Sequence, residues 1–200
     1  MDAFELGGRI LGRGIGAMVC TIFGALWLGL GLAGGHAFSL AVIAAFSICC
    51  VGLYAGSVFL IRRGRRLRSQ PPVHLEPSAG VPKQFTWLVI AEVVACVAIA
   101  WACGARNRGD LIPLGIALVV GLHFLPFARI FRAPECYVTG AAIAIWCVLS
   151  WALFRAPKMD VSVGIGTGLI LWFTGAYDLI RSRALLSSAH PERFSAALPK

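Results

Sequence analysis

Apolar residues fall along this chain in six long blocks rather than in the two-residue alternation of half-buried strands. The blocks cover approximately Ile15–Leu32, Ala37–Ile61, Phe85–Cys103, Leu111–Ile130, Tyr137–Phe154 and Val161–Ile180. A bilayer core of about 30 Å takes about 20 residues of helix at 1.5 Å rise each, and every block meets or approaches that length. Turn chemistry separates them: Gly34-Gly35-His36, Pro71-Pro72 through Pro82, Arg106-Asn107-Arg108-Gly109-Asp110, Ala133-Pro134 and Ala156-Pro157-Lys158. The pattern predicts an all-α membrane protein, a bundle of six transmembrane helices. Most joints are short, as in helix hairpins. Residues 62–83 form a basic loop too small and polar to fold alone, and 181–200 a polar tail, so 1–200 reads as a single domain.

Composition gives the blocks their surroundings. The 200 residues are 58% hydrophobic and 14% charged, with a mean hydropathy of +0.81. Soluble domains carry about 45–50% apolar and about 25% charged residues. Too few charges remain to coat a soluble fold, so the excess apolar surface must face lipid. The same arithmetic argues against disorder and against a disulfide scaffold; the seven cysteines are scattered, mostly inside apolar blocks, where they act as small hydrophobes.

The net charge of +9 sets the expected orientation. With both termini inside, fourteen of the eighteen Lys and Arg residues fall on the cytoplasmic face. Only Arg106, Arg108, Arg155 and Lys158 fall outside, which predicts N-in, C-in insertion in the cell's inner or plasma membrane. Asp2 and Glu5 make a poor signal-peptide start, so the first block is expected to stay as a helix. Arg62, Arg63, Arg65, Arg66 and Arg68 follow the second block directly and are expected to contact anionic lipid headgroups. Neither interleaved aromatics nor a folded platform surrounds them, so nucleic acid is not an expected partner.

Trp27, Trp101 and Trp151 near the outer ends and Trp87 near an inner one read as an interfacial belt, whereas Trp146 and Trp172 lie deeper and need a buried partner for the indole N–H. Glycine is patterned: Gly8, Gly12 and Gly16; a small-residue stripe of Ala41, Ala45, Cys49, Gly52 and Gly56; and one face of Gly164, Gly168, Leu171, Gly175 and Asp178. Such faces let helices approach closely, within one chain or between the copies of a homo-oligomer. The second and last blocks also end alike, Gly56 to Arg62 against Gly175 to Arg181, a hint of a duplicated hairpin.

Ionisable groups at membrane depth are costly and mark candidate sites. Glu92 lies nine residues from Lys83, about 14 Å along the axis, and His123 six from Arg129, about 9 Å. They sit on consecutive helices at compatible depth, in the cytoplasmic half. Asp178 lies one turn before Arg181, its expected partner, and Glu135 starts the fifth helix close enough to join a cluster. A buried carboxylate beside an imidazole can exchange a proton as a ligand binds, or can simply hold two helices together. Pro126, inside the fourth block, removes an amide from the Leu122 carbonyl and predicts a kink beside His123.

The run Gly121-Leu122-His123-Phe124-Leu125-Pro126-Phe127 resembles a family of small bacterial multi-pass integral membrane proteins sharing Gly-x-His-Phe-x-Pro. The likeness spans Val119–Gly140, and the matching positions are Gly121, His123, Phe124 and Pro126. That family has no assigned activity; the resemblance implies a helical membrane fold and supplies no catalytic residue.

No nucleotide-binding, hydrolase, CxxC or HExxH motif occurs, and the four histidines are far apart, so neither metal nor cofactor is expected and enzymatic activity has no residue pattern behind it. Two functional readings remain: a small permease or channel-like protein whose cytoplasm-facing polar cavity is lined by Glu92, His123 and Asp178, and a non-transporting scaffold or accessory subunit whose intramembrane polar groups only pair helices.

Overall fold

A computed structural model of the chain describes residues 3–69, 83–131 and 133–188. Among these residues there are six α-helices and no strands: α1 (Ala3–Gly34), α2 (Leu40–Arg68), α3 (Lys83–Ala105), α4 (Ile112–Ile130), α5 (Glu135–Leu153) and α6 (Lys158–Ser188). All six are long and apolar enough to cross a membrane, which makes the chain a multi-pass helical membrane protein. Turn residues do the expected work between them. His36 (φ 50°) and Asn107 (φ 54°) take the left-handed conformation in the α1–α2 and α3–α4 turns. The Ser39 hydroxyl accepts from the Val42 amide at 3.2 Å, capping the start of α2. Arg108 pairs with Asp110 at 3.1 Å beside a 3-10 turn (Gly109–Leu111), and that hydrogen-bonded carboxylate raises the guanidinium pKa further.

Helix length separates two groups. The helices α3, α4 and α5 have 23, 19 and 19 residues, close to a single span. By contrast α1, α2 and α6 have 32, 29 and 31 residues, about ten more than a span requires. The surplus corrects two expectations. The first helix begins at Ala3, well before Ile15. Arg62 to Arg68 belong to α2 rather than to a loop, since Arg is a good helix former and cations suit a helix C-terminus. The start of the polar tail, 181–188, is helical, ending before His190-Pro191 as its sequence suggests, and it continues α6. The rest of that loop and tail, 70–82 and 189–200, lies outside the described residues.

Contacts divide the described chain into two units: residues 3–22, 44–69 and 172–188, and residues 23–43, 83–131 and 133–171. The first is a three-helix assembly of α1, α2 and α6 segments. Leu6, Ile10 and Leu60 form its core, with Leu67, Leu179, Leu185 and Leu186 packed around them. Here α1 and α2 touch backbone to backbone: a Cβ on Gly64 would stand 2.7 Å from the Leu11 nitrogen, and one on Gly7 2.8 Å from that of Arg68. Gly8 and Gly12, the stripe visible in the sequence, face open space instead. Trp172 is buried, stacks near Phe46 at 5.4 Å and donates its indole N–H to the Thr21 carbonyl at 3.1 Å. Trp172→Phe keeps the ring packing and loses this bond, so thermal unfolding in detergent should register a loss of about 1 kcal/mol. An unchanged melting profile would show the bond to be dispensable.

In the second unit α1 and α6 cross through Gly31 and Gly164, and through Gly24, Leu28 and Gly168. The α6 glycine face is therefore packed within the chain. The helices α4 and α5 meet at Gly121 and Gly140, where a Cβ on Gly121 would stand 3.2 Å from the Gly140 carbonyl. The Trp146 indole lies on the backbone of α6 at Gly166 and donates to the Ser162 carbonyl at 2.8 Å. Trp27 is 7% exposed, so its ring is packed against the protein, and its carbonyl borders the Gly164 crossing. Trp87, Trp101 and Trp151 are exposed.

Candidate functional site between helices α3 and α4

Helices α3 and α4 run antiparallel, joined by a tight turn, and their register is legible from three contacts. Towards the turn, Ile99 covers Gly115, where an added Cβ would be 2.6 Å from the isoleucine Cγ2. In the middle, the Glu92 carboxylate (Oε1) lies 3.1 Å from His123 Nδ1. At the far end, Phe85 packs on Phe127 with centroids 5.5 Å apart and on Phe131 at 5.8 Å. Glu92 and His123 therefore share one level, between an aliphatic clamp and an aromatic one.

A cavity of about 270 Å³ opens at that level. One turn-spaced face of α3, Leu88, Ala91, Glu92 and Ala95, lines one wall. The matching face of α4, Val119, Leu122, His123 and Pro126, lines the other. The spacing i, i+3, i+4, i+7 on both helices is what puts these side chains on one groove. Small Ala91 and Ala95 leave the space, and Pro126 withholds an amide from the Leu122 carbonyl while α4 continues through it.

The Glu92 side chain is 22% exposed and that of His123 12%. His123 Nδ1 is buried and makes no aligned hydrogen bond, so its contact with Glu92 is one of charge and proximity. The imidazole is held by Phe124 and Phe127, both with ring centroids at 4.8 Å. A carboxylate that meets an imidazole in an apolar groove can bind one positive charge, as a proton on the ring or as a cation beside it.

The remaining candidates stand elsewhere. Glu135 begins α5 and does not line the cavity. Asp178 is 8% exposed and belongs to the other unit, where its Oδ2 would stand 3.7 Å from a Cβ on Gly16. Arg181 donates from Nη1 to the Tyr177 hydroxyl at 2.7 Å. Arg62, Arg63, Arg65 and Arg66 are exposed on the last turns of α2, while Arg68 is half-buried with its guanidinium 5.3 Å from the Phe4 ring centroid. Among the described residues no three His, Cys, Asp or Glu side chains converge as a metal site would need. The chain matches no family model, no curated protein and no solved structure. A second cavity of about 380 Å³, lined by Gly34, Gly35, Phe154, Pro157, Lys158, Val161 and Ser162, is larger but holds a single ionisable residue, Lys158. Of these two, the α3–α4 groove is the one that pairs space with opposed ionisable groups.

Ala91, Ala95 and Val119 were not singled out from the sequence as site residues. The signal was present: Ala95 lies three residues from Glu92, Val119 four from His123 and Ala91 one turn before Ala95, so each falls on the face of its ionisable neighbour.

Proposed function

We propose that the chain is a small permease or channel-like protein whose polar element is the Glu92–His123 pair, opening towards the cytoplasm. The observation that supports this reading is the open groove of about 270 Å³ that reaches both side chains. The excess of Lys and Arg near one set of helix ends supports N-in, C-in insertion in the inner or plasma membrane. The exposed arginines of α2 then meet anionic headgroups of the cytoplasmic leaflet.

Proton movement is the direct test, because a proton is the one solute the pair must handle. In vesicles loaded with a pH-sensitive dye and driven by a potassium diffusion potential, the wild-type chain should carry protons faster than protein-free vesicles. His123→Gln and Glu92→Gln should both fall to the protein-free level while keeping the wild-type melting profile. Wild-type flux equal to that of empty vesicles, with the two variants changed only in stability, would leave the pair as helix glue and the chain as a scaffold or accessory subunit.

A further inference from the structure

Resting on the permease reading above, we infer that the α3–α4 groove takes a small lipophilic monocation, a quaternary or protonated amine, whose charge sits against the Glu92 carboxylate in exchange for the His123 proton. The walls are hydrocarbon, from Leu88, Ala91, Ala95, Val119, Leu122 and Pro126, so a ligand must be largely apolar. A volume of about 270 Å³ is below the range of roughly 300–1,000 Å³ that holds drug-sized molecules, so it must be small.

Charge selects the rest. The carboxylate is the more exposed partner, at 22% against 12%, and is the group a ligand meets. An anion would face that carboxylate, while the imidazole charge is already answered by it. A divalent metal ion needs several oxygen ligands, and the groove offers one carboxylate. A monocation needs one counter-charge and finds it.

The exchange balances. With His123 protonated and Glu92 ionised the groove is neutral. With the cation bound, Glu92 ionised and His123 neutral, it is neutral again, and one proton has left for solvent. Neither state buries a net charge, which is the condition an apolar site imposes. The charged and titratable groups around the pair are few. On α3 they are Lys83, nine residues away, and Cys96, one turn from Glu92. On α4 it is Arg129, whose Nε lies 3.3 Å from the Tyr137 hydroxyl on α5. On α5 they are Glu135, Cys136 and Tyr137, none of which lines the groove.

The test is calorimetric titration of the full chain in lipid nanodiscs with benzyltrimethylammonium, between about pH 5.5 and 8.5, in two buffers of different ionisation enthalpy. Saturable binding is expected. Affinity should fall by up to about tenfold per pH unit on the acid side, with about one proton released per cation bound, since proton and ligand are reciprocally linked. Glu92→Gln should abolish binding. His123→Gln should still bind the cation but with a pH dependence different from that of the wild type, and benzoate should not bind at all. Glu92→Asp, which keeps the charge on a shorter arm, should bind more weakly and reads the same point if the Gln variant does not fold. No cation binding by the wild type, binding that survives Glu92→Gln, or a pH-independent affinity would each overturn the proposal. The proton-flux experiment separates it from the reading it rests on. Flux without cation binding removes only the cation; cation binding without flux keeps the site and removes the passage.

Discussion

Replacing Gly168 with valine is expected to destabilise the protein by about 3 kcal/mol, because a Cβ there meets the Leu28 side chain at 2.5 Å and, beside it, another helix's backbone that cannot move aside. A Cβ there would stand 2.7 Å from the Leu28 nitrogen and 2.8 Å from the Gly24 carbonyl. Gly164, one turn earlier, meets the Gly31 nitrogen and Cα at 2.8 Å. Helices α1 and α6 would have to separate along this crossing, and in lipid the close dispersion contacts they lose are the main attraction between helices. For a chain of this size the loss corresponds to a fall of roughly 6–12 °C in melting temperature, read by circular dichroism in detergent. Gly52→Ala provides the control, since nothing lies within 4 Å of a Cβ at Gly52. It should melt at or slightly above the wild-type temperature. Equal melting of Gly168→Val and wild type would mean that α1 and α6 do not cross at these residues.

Gly166→Ala is expected to have an effect of similar size by a different route. A Cβ on Gly166 would fall within the Trp146 indole, which rests on α6 there. The ring must swing out, leaving its volume empty and breaking the bond from its N–H to the Ser162 carbonyl. Emptying a large aromatic site costs about 3–5 kcal/mol when complete, and an indole N–H without a partner in hydrocarbon adds to it. The prediction is sharpest as a double-mutant cycle. In a Trp146→Ala background the Gly166→Ala change should cost almost nothing, since there is no ring left to displace. The same loss in both backgrounds would show that some contact other than Trp146 makes Gly166 necessary.

Both predictions concern residues whose importance was only half visible in the sequence. The spacing of Gly164, Gly168, Gly175 and Asp178 marks one face of α6, yet a face names no neighbour. Gly31 and Gly24 of α1 became its partners in the folded chain, and Gly7, Gly14 and Gly64 turned out to be packed while the more regular Gly8 and Gly12 are open. The deep tryptophans behaved likewise. Their need for an acceptor followed from indole chemistry, whereas the acceptors, carbonyls of Thr21 and Ser162, depend on contacts distant along the sequence for Trp172 and local for Trp146. At the candidate site the common depth of Glu92 and His123 could be counted in residues of rise. Their 3.1 Å contact needed the rotation of each helix about its axis, which hydropathy does not encode because both helices are apolar nearly all round.

Hydropathy and turn residues alone were enough for six spanning helices, because a backbone in lipid must satisfy its own hydrogen bonds and about 20 apolar residues have few other ways to do so. Helix length beyond the span was not legible. The additional turns of α1, α2 and α6 are stabilised by Leu6, Ile10 and Leu60 packing together, and that core exists only once three distant segments meet. The groove at Glu92 and His123 is of the same kind: its ionisable residues stand out in the sequence, but its volume is set by how α3 and α4 lean on Gly115 at one end and on Phe127 and Phe131 at the other. Local chemistry names the groups that are costly in a membrane; only packing between helices decides whether space is left beside them.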